Sequence, residues 1–280
     1  MKNILIPTDF SENSWNAISY ALNYFKNTSC NFYLLHVTLI SNYIAAGDPP
    51  VYQSNESFIK PILEQAKESL QTQLKKIEEL HPNPKHTFFP ISNYDFFVNA
   101  IKSQIKDKNI DLIVMGTKGA SGLNEVIVGS NTGDLITQVK YPVLIVPENA
   151  KFTIPKEIAF PTDYNISYQA KILNTIEEFS TMYNSSIRVL HIAPKNKELT
   201  NFQLENKGYL QAFFTGEQHG FHRITNNKIE AGVQCFIESR NTNLIVMVAK
   251  NINLFQRILF KPTIEEISYH IEIPFLVLHE

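Results

Sequence analysis

The sequence contains little cysteine and no long apolar run. Only two cysteines, Cys30 and Cys235, occur in 280 residues. Their wide separation, without a CxxC spacing, argues against a disulfide framework and against a cysteine metal site. No apolar stretch is long enough to cross a membrane, and no signal peptide precedes the first apolar segment at Ile4. We therefore expect a cytoplasmic protein without a membrane partner.

Clustered positive charge is also missing. The 25 Lys and Arg residues face 27 Asp and Glu residues, for a net charge of −2, and all four arginines lie in the second half of the chain. Binding to a nucleic-acid backbone requires a local excess of Lys and Arg, so we expect no nucleic-acid partner. Any phosphate held by the first half must then depend on backbone amides and Lys118, unless an arginine from the second half reaches it.

The sequence does contain a glycine-rich segment between a strand pattern and a helix pattern. Five of the ten glycines fall within residues 116–133. Leu112–Met115 is a short apolar run typical of a buried parallel strand, and Gly116–Gly119 follows at once. Gly129-Ser130 then precedes a helical pattern that Ser130 can cap. Because a helix start with free N–H groups and little side-chain cover binds anions, this segment predicts a phosphate ligand.

The chain is a tandem duplication. Ile4–Asp9 is matched by Ile158–Asp163, both ending in Pro-Thr-Asp, and Leu112–Met115 is matched by Leu244–Met247, 132 residues later. Strand and helix patterns alternate through both copies, which predicts parallel sheets covered by helices on both faces. We place the domain boundary in the segment 148–156 and assign the two domains to residues 1–149 and 150–280.

The second copy lacks the glycines. Four positions change at the same offset: Gly116 to Val248, Gly119 to Asn251, Gly129 to Lys261 and Ser130 to Pro262. Side chains then occupy the space that a phosphate would need, and proline has no N–H to donate. We expect the second copy to have lost this ligand, or to bind a different one.

These residues resemble the universal stress protein family over essentially the whole chain, taken as two copies. The specific part is the pattern G-x-x-G-x(9)-G-[ST], with the early Pro-Thr-Asp and the strand that ends in His36-Val37. The resemblance implies two tandem doubly wound α/β domains of the adenine nucleotide α-hydrolase-like type, each with a five-stranded parallel sheet. In the ATP-binding branch, the nucleotide lies across the carboxyl ends of the strands.

By position, the resemblance assigns the parts of a nucleotide to residues of the first copy. Asp9 would bond the ribose or adenine, the Val37 backbone would face the adenine, and Pro7, Thr8 and Met115 would line the base pocket. The phosphates would be held by Gly116, Gly119, Gly129, Ser130 and Thr132, with Lys118 near them. Asn131 departs from the small apolar residue common in the family, but its N–H remains. The implied ligand is ATP or another adenine nucleotide, with Mg²⁺ as a potential companion.

Other interpretations of single residues stay open. Asp9 could instead cap the first helix, because the second copy retains an aspartate at Asp163. Lys118 is matched by Lys250 in the copy without the glycines, so it could equally be a solvated lysine. His219 and His222 lie three residues apart, but no third ligand for zinc is nearby, and we assign no metal site.

Three functions fit the sequence. The leading hypothesis is a stress-response protein that binds one adenine nucleotide in its N-terminal domain and acts as a nucleotide-dependent regulatory or interaction module with an unidentified protein partner. A slow ATP hydrolase or adenylating enzyme of the same fold group is one rival, although the sequence has no Walker, HIGH or SGGxDS motif, and we assign no catalytic residue. The other rival is an interaction protein whose site stays empty.

Two apolar segments end the two copies. Val143–Val146 and Phe275–Leu278 both predict edge strands, which proteins usually pair or cover. In the family this strand commonly mediates pairing. We therefore expect the two domains to form an internal pseudo-dimer, and a further homodimer is an additional option.

Overall fold

The computed structural model of the chain describes residues 1–38, 56–117, 129–249 and 272–280. Of these, residues up to Val139 form one compact unit and residues from Lys140 onward form a second. Within the described stretches, no helix combines the length and apolarity needed to cross a membrane.

Strands and helices alternate through the first unit. They are β1 (Lys2–Pro7), α1 (Glu12–Tyr24), β2 (Cys30–Thr38), α2 (Glu56–Leu80), β3 (His86–Tyr94), α3 (Phe97–Asp107), β4 (Leu112–Gly116) and α4 (Ser130–Gln138). The strands are parallel in the order β3-β2-β1-β4. Every residue of β4 is buried, as are Ile4, Leu5 and Ile6 of β1, which explains their continuous apolar sequence.

The second unit repeats this plan. Its elements are β5 (Val143–Val146), β6 (Glu157–Pro161), α5 (Ala170–Thr181), β7 (Ser186–Ala193), α6 (Asn201–Phe213), β8 (His219–Thr225), α7 (Ile229–Ser239), β9 (Leu244–Val248) and β10 (Phe275–Leu278). Five parallel strands follow the order β10-β9-β6-β7-β8. The predicted α/β class with tandem doubly wound domains is confirmed.

The strand that ends the first sequence copy, β5, groups with the second unit. It pairs antiparallel with β10, in the register Phe275–Ile145, Leu276–Leu144 and Val277–Val143. The two segments predicted as edge strands are therefore hydrogen-bonded to each other. The central pair, Leu144 and Leu276, joins equivalent positions of the two copies. The domain boundary between residues 149 and 150 stays a prediction.

Two helix starts in the first unit differ in their capping. The N-cap of α1 is Ser11, whose hydroxyl accepts a hydrogen bond from the Ser14 N–H at 3.2 Å. The predicted cap of α4 is wrong by one residue: Gly129 is the N-cap, and Ser130 is the first helical residue. No side chain caps α4, because its N-cap is a glycine. The Thr132 hydroxyl in the first turn donates to the Gly116 carbonyl at 3.1 Å and so ties the helix start to the end of β4.

Candidate functional site

A pocket opens at the carboxyl ends of the strands in the first unit. It lies where the strand order reverses between β1 and β4, which is the usual ligand position in open α/β sheets. Ten of the twelve residues assigned from the sequence line it: Pro7, Thr8, Asp9, Val37, Met115, Gly116, Gly129, Ser130, Asn131 and Thr132. Lys118 and Gly119 lie outside the described residues.

The end of β1 forms a tight corner that fixes Asp9. One Asp9 carboxylate oxygen accepts hydrogen bonds from the N–H of Ser11 at 3.1 Å and from its hydroxyl at 2.6 Å. The Thr8 hydroxyl accepts a bond from the N–H of Phe10 at 3.1 Å, and Phe10 has a positive φ of 65°. These short-range bonds stabilise a backbone conformation that a bulky residue rarely adopts. The corner therefore holds the Asp9 carboxylate at the pocket wall.

His36 supports the same corner from β2. Its Nδ1–H donates to the Thr8 carbonyl at 2.8 Å, and its ring stacks on Phe10 with centroids 4.6 Å apart. Since the carbonyl can only accept, Nδ1 carries the proton in this arrangement. A structural role for this histidine follows, as its position at the end of a strand in both copies suggests.

The opposite wall of the pocket is the start of α4. Ser130 and Asn131 occupy its exposed first positions, and Thr132 is buried behind them. The first-turn N–H groups of a helix have no acceptor within the helix and carry a partial positive charge. Because Gly129 precedes them without a side chain, this end of the pocket suits an anion.

Gly116 lets the end of β4 approach α1 closely. A Cβ at this position would lie 2.0 Å from Asn13 Oδ1 and 3.2 Å from the Asn13 carbonyl oxygen. Asn13 is only 6% exposed, and neither polar atom of its side-chain amide has a hydrogen-bond partner among the described residues. A side chain at this position would displace the Asn13 amide and crowd its carbonyl oxygen, so the glycine favours close packing in addition to any ligand contact.

The second unit contains the same corner. The Asp163 carboxylate accepts from the Asn165 N–H at 2.9 Å, and Tyr164 has a φ of 59°. The His191 Nδ1–H donates to the Thr162 carbonyl at 3.0 Å, and its ring stacks on Tyr164. Burial lowers the pKa of His191, which favours the neutral imidazole. The Pro-Thr-Asp sequence and the histidine therefore have a structural role in both copies, beside any role in binding.

In the second unit, however, this corner is covered by side chains. Tyr168 replaces Ser14 at the same spacing, and its hydroxyl is hydrogen-bonded to that of Thr162. Tyr164 and Tyr168 are 2% and 5% exposed, whereas Phe10 is 36% exposed. Burial raises the pKa of Tyr164 to about 12. The space beside the second aspartate is thus occupied by aromatic rings.

Helix α6 completes this cover. The Gln203 amide donates to the Asp163 carbonyl at 2.7 Å, and the Asn206 amide donates to the Tyr164 carbonyl at 2.9 Å. The start of the preceding helix also differs, since α1 begins three residues after Asp9 and α5 seven residues after Asp163. Val248 stands at the sequence position that corresponds to Gly116. Asn251, Lys261 and Pro262 lie outside the described residues.

Four pocket residues were not assigned from the sequence: Ser14, Leu35, His36 and Phe97. Leu35 and His36 belong to the strand end whose Val37 was assigned, so their inclusion follows from strand geometry. Ser14 comes from the first turn of α1 and Phe97 from the first residue of α3. Neither has a fixed spacing from the glycine pattern, and so the sequence carried no signal for them.

The remaining cluster of charged side chains lies in the second unit. Glu157 accepts two hydrogen bonds from Arg188, at 2.6 and 2.7 Å, and one from Arg240 at 3.3 Å. The Arg188 hydrogen bond lowers the pKa of Glu157 despite partial burial. His219 and His222 lie on β8, and in the described part of the chain no group of three or more His, Cys, Asp or Glu side chains could hold a metal ion.

The fold and the pocket together define an open α/β sheet protein with a pocket at its switch point. The family model of the universal stress protein family matches residues 1–147. The universal stress protein MJ0531 of Methanocaldococcus jannaschii is 31% identical over 150 residues, which cover 54% of this chain and 84% of that protein. MJ0577 from the same organism is 26% identical over 157 residues, covering 52% and 94%. The chain belongs to the universal stress protein family.

A solved structure extends the comparison to the whole chain. A universal stress protein from Archaeoglobus fulgidus DSM 4304 covers 99% of this chain and 98% of its own, with a TM-score of 0.71 and 18% sequence identity. This likeness concerns the fold. It includes the second half of the chain, which lies beyond the family-model match.

Proposed function

We propose that the N-terminal domain, residues 1–149, binds one adenine nucleotide of the ATP class, and that the chain acts as a nucleotide-dependent regulatory or interaction module in the cytoplasm. One observation carries this proposal. A single pocket is lined by ten residues that the family resemblance assigns to the nucleotide, and they come from three strand ends and one helix start.

The two ends of the pocket suit the two ends of a nucleotide. The start of α4 offers the N–H groups of Ser130 and Asn131 to the phosphates, and Lys118, Gly119 and Mg²⁺ would add to this end. The Gly129 N–H is already used, because it donates to the Thr117 carbonyl at 2.6 Å, and Gly129 contributes by leaving space beside these groups. The apolar walls at Pro7, Val37 and Met115 suit the base, and Asp9 lies between the two ends and suits the ribose or the adenine. No catalytic residue is part of the proposal, and hydrolysis would at most be slow.

The C-terminal domain, residues 150–280, has no place for a second nucleotide in this proposal. Tyr168 and α6 cover its corresponding corner, and Val248 replaces the first glycine. Its role would be that of a structural partner, with the β5–β10 pairing at the centre of an internal pseudo-dimer. A nucleotide influences a protein partner only if it binds two conformations with different affinity, so the partner surface would include residues that contact the phosphates.

Calorimetric titration of nucleotide-stripped protein with ATP and Mg²⁺ tests the proposal. We expect saturable binding with a stoichiometry near one per chain. The double variant Gly116→Val, Gly129→Lys copies the second domain and should abolish binding. Asp9→Ala should weaken binding, whereas Asp163→Ala, the matched change in the covered corner, should leave the affinity unchanged.

Three outcomes would contradict the proposal or favour a rival. Two equal sites per chain would show that the second domain binds as well, and absence of binding by folded wild type would favour an empty site. Multiple turnover of ATP to ADP or AMP in the same samples would favour the enzyme hypothesis. Mass spectrometry of gently purified protein adds an independent check, since a co-purifying adenine nucleotide would exclude the empty site.

A further inference from the structure

We propose that Phe97 is the residue on which the nucleobase stacks, a contact that the family pattern does not assign. This inference rests on the proposed nucleotide site and names a further residue within it that contributes to affinity for the base. Phe97 lines the pocket and is half-buried, so part of it is covered by protein while part remains accessible.

Hydrogen bonds between β2 and the turn after β3 hold Phe97 beside the end of β2. Thr38 pairs with Tyr94 at the ends of these strands, and the next N–H, that of Asp95, donates to the Thr38 carbonyl at 3.3 Å. Phe97 then starts α3, whose first turn is closed by the Ala100 N–H donating to the Phe96 carbonyl at 3.0 Å. The position of Phe97 is therefore set by main-chain bonds and does not depend on its own side chain.

The strand order places Phe97 at the base end of the pocket. Across the strands, the lining residues run from Phe97 after β3, through Val37 on β2 and Asp9 after β1, to Gly116 on β4 and the start of α4. The anion-binding helix start lies at one extreme of this series. Phe97 lies at the other extreme, where an elongated ligand with its phosphates on α4 would place its base.

The ring of Phe97 is available for stacking. Among the described residues no aromatic ring pairs with it, whereas Phe10 already stacks on His36 at 4.6 Å. Base–aromatic stacking contributes substantially to nucleotide binding and tolerates different bases, because every base has a π-face. In the covered domain, the equivalent first residue of α7 is the aliphatic Ile229.

The experiment compares four variants by calorimetry with ATP, adenosine and tripolyphosphate. Phe97→Ala removes the ring, Phe97→Ile copies the second domain, and Phe97→Trp keeps an aromatic face. Phe96→Ala is the matched control, since Phe96 is adjacent, is 54% exposed and does not line the pocket. Thermal melts of each variant establish that it is folded.

We expect Phe97→Ala and Phe97→Ile to weaken ATP and adenosine binding by about 5- to 150-fold, the range that loss of base stacking produces. Phe97→Trp should retain affinity, and tripolyphosphate binding should be the same in all variants. The inference is overturned if wild type binds ATP but Phe97→Ala behaves like Phe96→Ala, or if tripolyphosphate affinity falls equally. Failure of wild type to bind ATP would instead overturn the proposed function itself, and the Phe97 role with it.

Discussion

Gly116 contributes to the packing of this site because it has no side chain. The added Cβ would meet the side chain of Asn13 at 2.0 Å, and within the described parts of the chain both polar atoms of that buried side chain lack a hydrogen-bond partner. In the second unit the corresponding helix starts later, and Val248 occupies the position. The glycine therefore occurs in the copy whose helix starts early, at α1, and the valine occurs in the copy whose helix starts late, at α5.

Gly116→Ala should lower the free energy of unfolding by about 1–3 kcal/mol, because the new methyl group overpacks a buried site. Asn13→Ala should be close to neutral alone, since it removes a buried amide without hydrogen bonds, and should recover part of the loss in the double variant. Urea unfolding of the four proteins measures this coupling.

Gly208→Ala is the control for the general effect of a glycine-to-alanine substitution on stability, which acts through helix propensity and chain entropy. Gly208 lies in the exposed part of α6, with no atom within 4 Å of an added Cβ. Gly208→Ala should therefore stabilise the protein by about 0.5–1 kcal/mol. Equal effects of alanine at positions 116 and 208, or additive effects at 13 and 116, would refute the packing argument.

Single residues of the site were predictable where a backbone requirement selects the residue type. The glycines at 116 and 129 and the Pro-Thr-Asp corner mark positions at which the local conformation or free space is decisive. Phe97 was not predictable, because an aromatic residue at a helix start is equally compatible with the core. The cap at Ser130 was assigned one residue late, because a glycine N-cap leaves little trace in the sequence.

Helix α6 distinguishes the two copies at the scale of elements. It starts with a capping box, in which Thr200 and Gln203 bond each other's N–H groups at 2.9 and 3.3 Å. The same Gln203 side chain also donates to the Asp163 carbonyl at 2.7 Å. The Gln203 side chain therefore caps the N-terminus of α6 and also holds this helix over the corner at Asp163 by a hydrogen bond.

Gln203→Ala should destabilise the second unit by about 1–3 kcal/mol, because a buried carbonyl and a helix N–H lose their partners. Gln211→Ala, on the exposed side of the same helix, should have little effect or stabilise slightly. Hydrogen exchange of amides 201–213 and urea unfolding both report on this difference. If the two variants exchange alike, α6 is not held by Gln203.

The elements themselves were largely predictable from hydrophobic periodicity, and their parallel pairing follows from the alternation of strands and helices. The late start of α5 was not predictable, because the Pro-Thr-Asp corner before it is identical in sequence to the one before α1. Tertiary contacts shift the start of the helix. Tyr168 is buried against Phe160 and hydrogen-bonded to Thr162, and these contacts hold it in the segment before α5.

Histidine burial determines one property of the whole molecule, the pH dependence of its stability. Burial lowers the pKa of five histidines, which are His81, His86, His191, His222 and His279. For His279, burial and the nearby Lys140 lower the pKa to about 4 from 6.5. Above pH 6.5 both the folded and the unfolded chain carry these rings neutral. Below it, the unfolded chain binds protons first.

The free energy of unfolding should therefore fall as the pH is lowered from about 6.5 to 4. His279→Leu should reduce this fall by about 1–2 kcal/mol, a figure that allows for solvent screening of a partly exposed ring. Urea unfolding of both proteins at several pH values provides the test. If the free energy of unfolding depends on pH in the same way in wild type and variant, His279 does not contribute to this pH dependence.

The pairing of β5 with β10 has a consequence for how the two copies could diverge. Leu144 faces Leu276, its own counterpart, so the two strands meet as identical chains do in a symmetric dimer. In a dimer of identical chains every substitution appears on both sides of the axis at once. Here each side is encoded separately, and a change in one copy leaves the other intact. Natural selection could thus fill one corner with tyrosines and a helix while its counterpart stayed open.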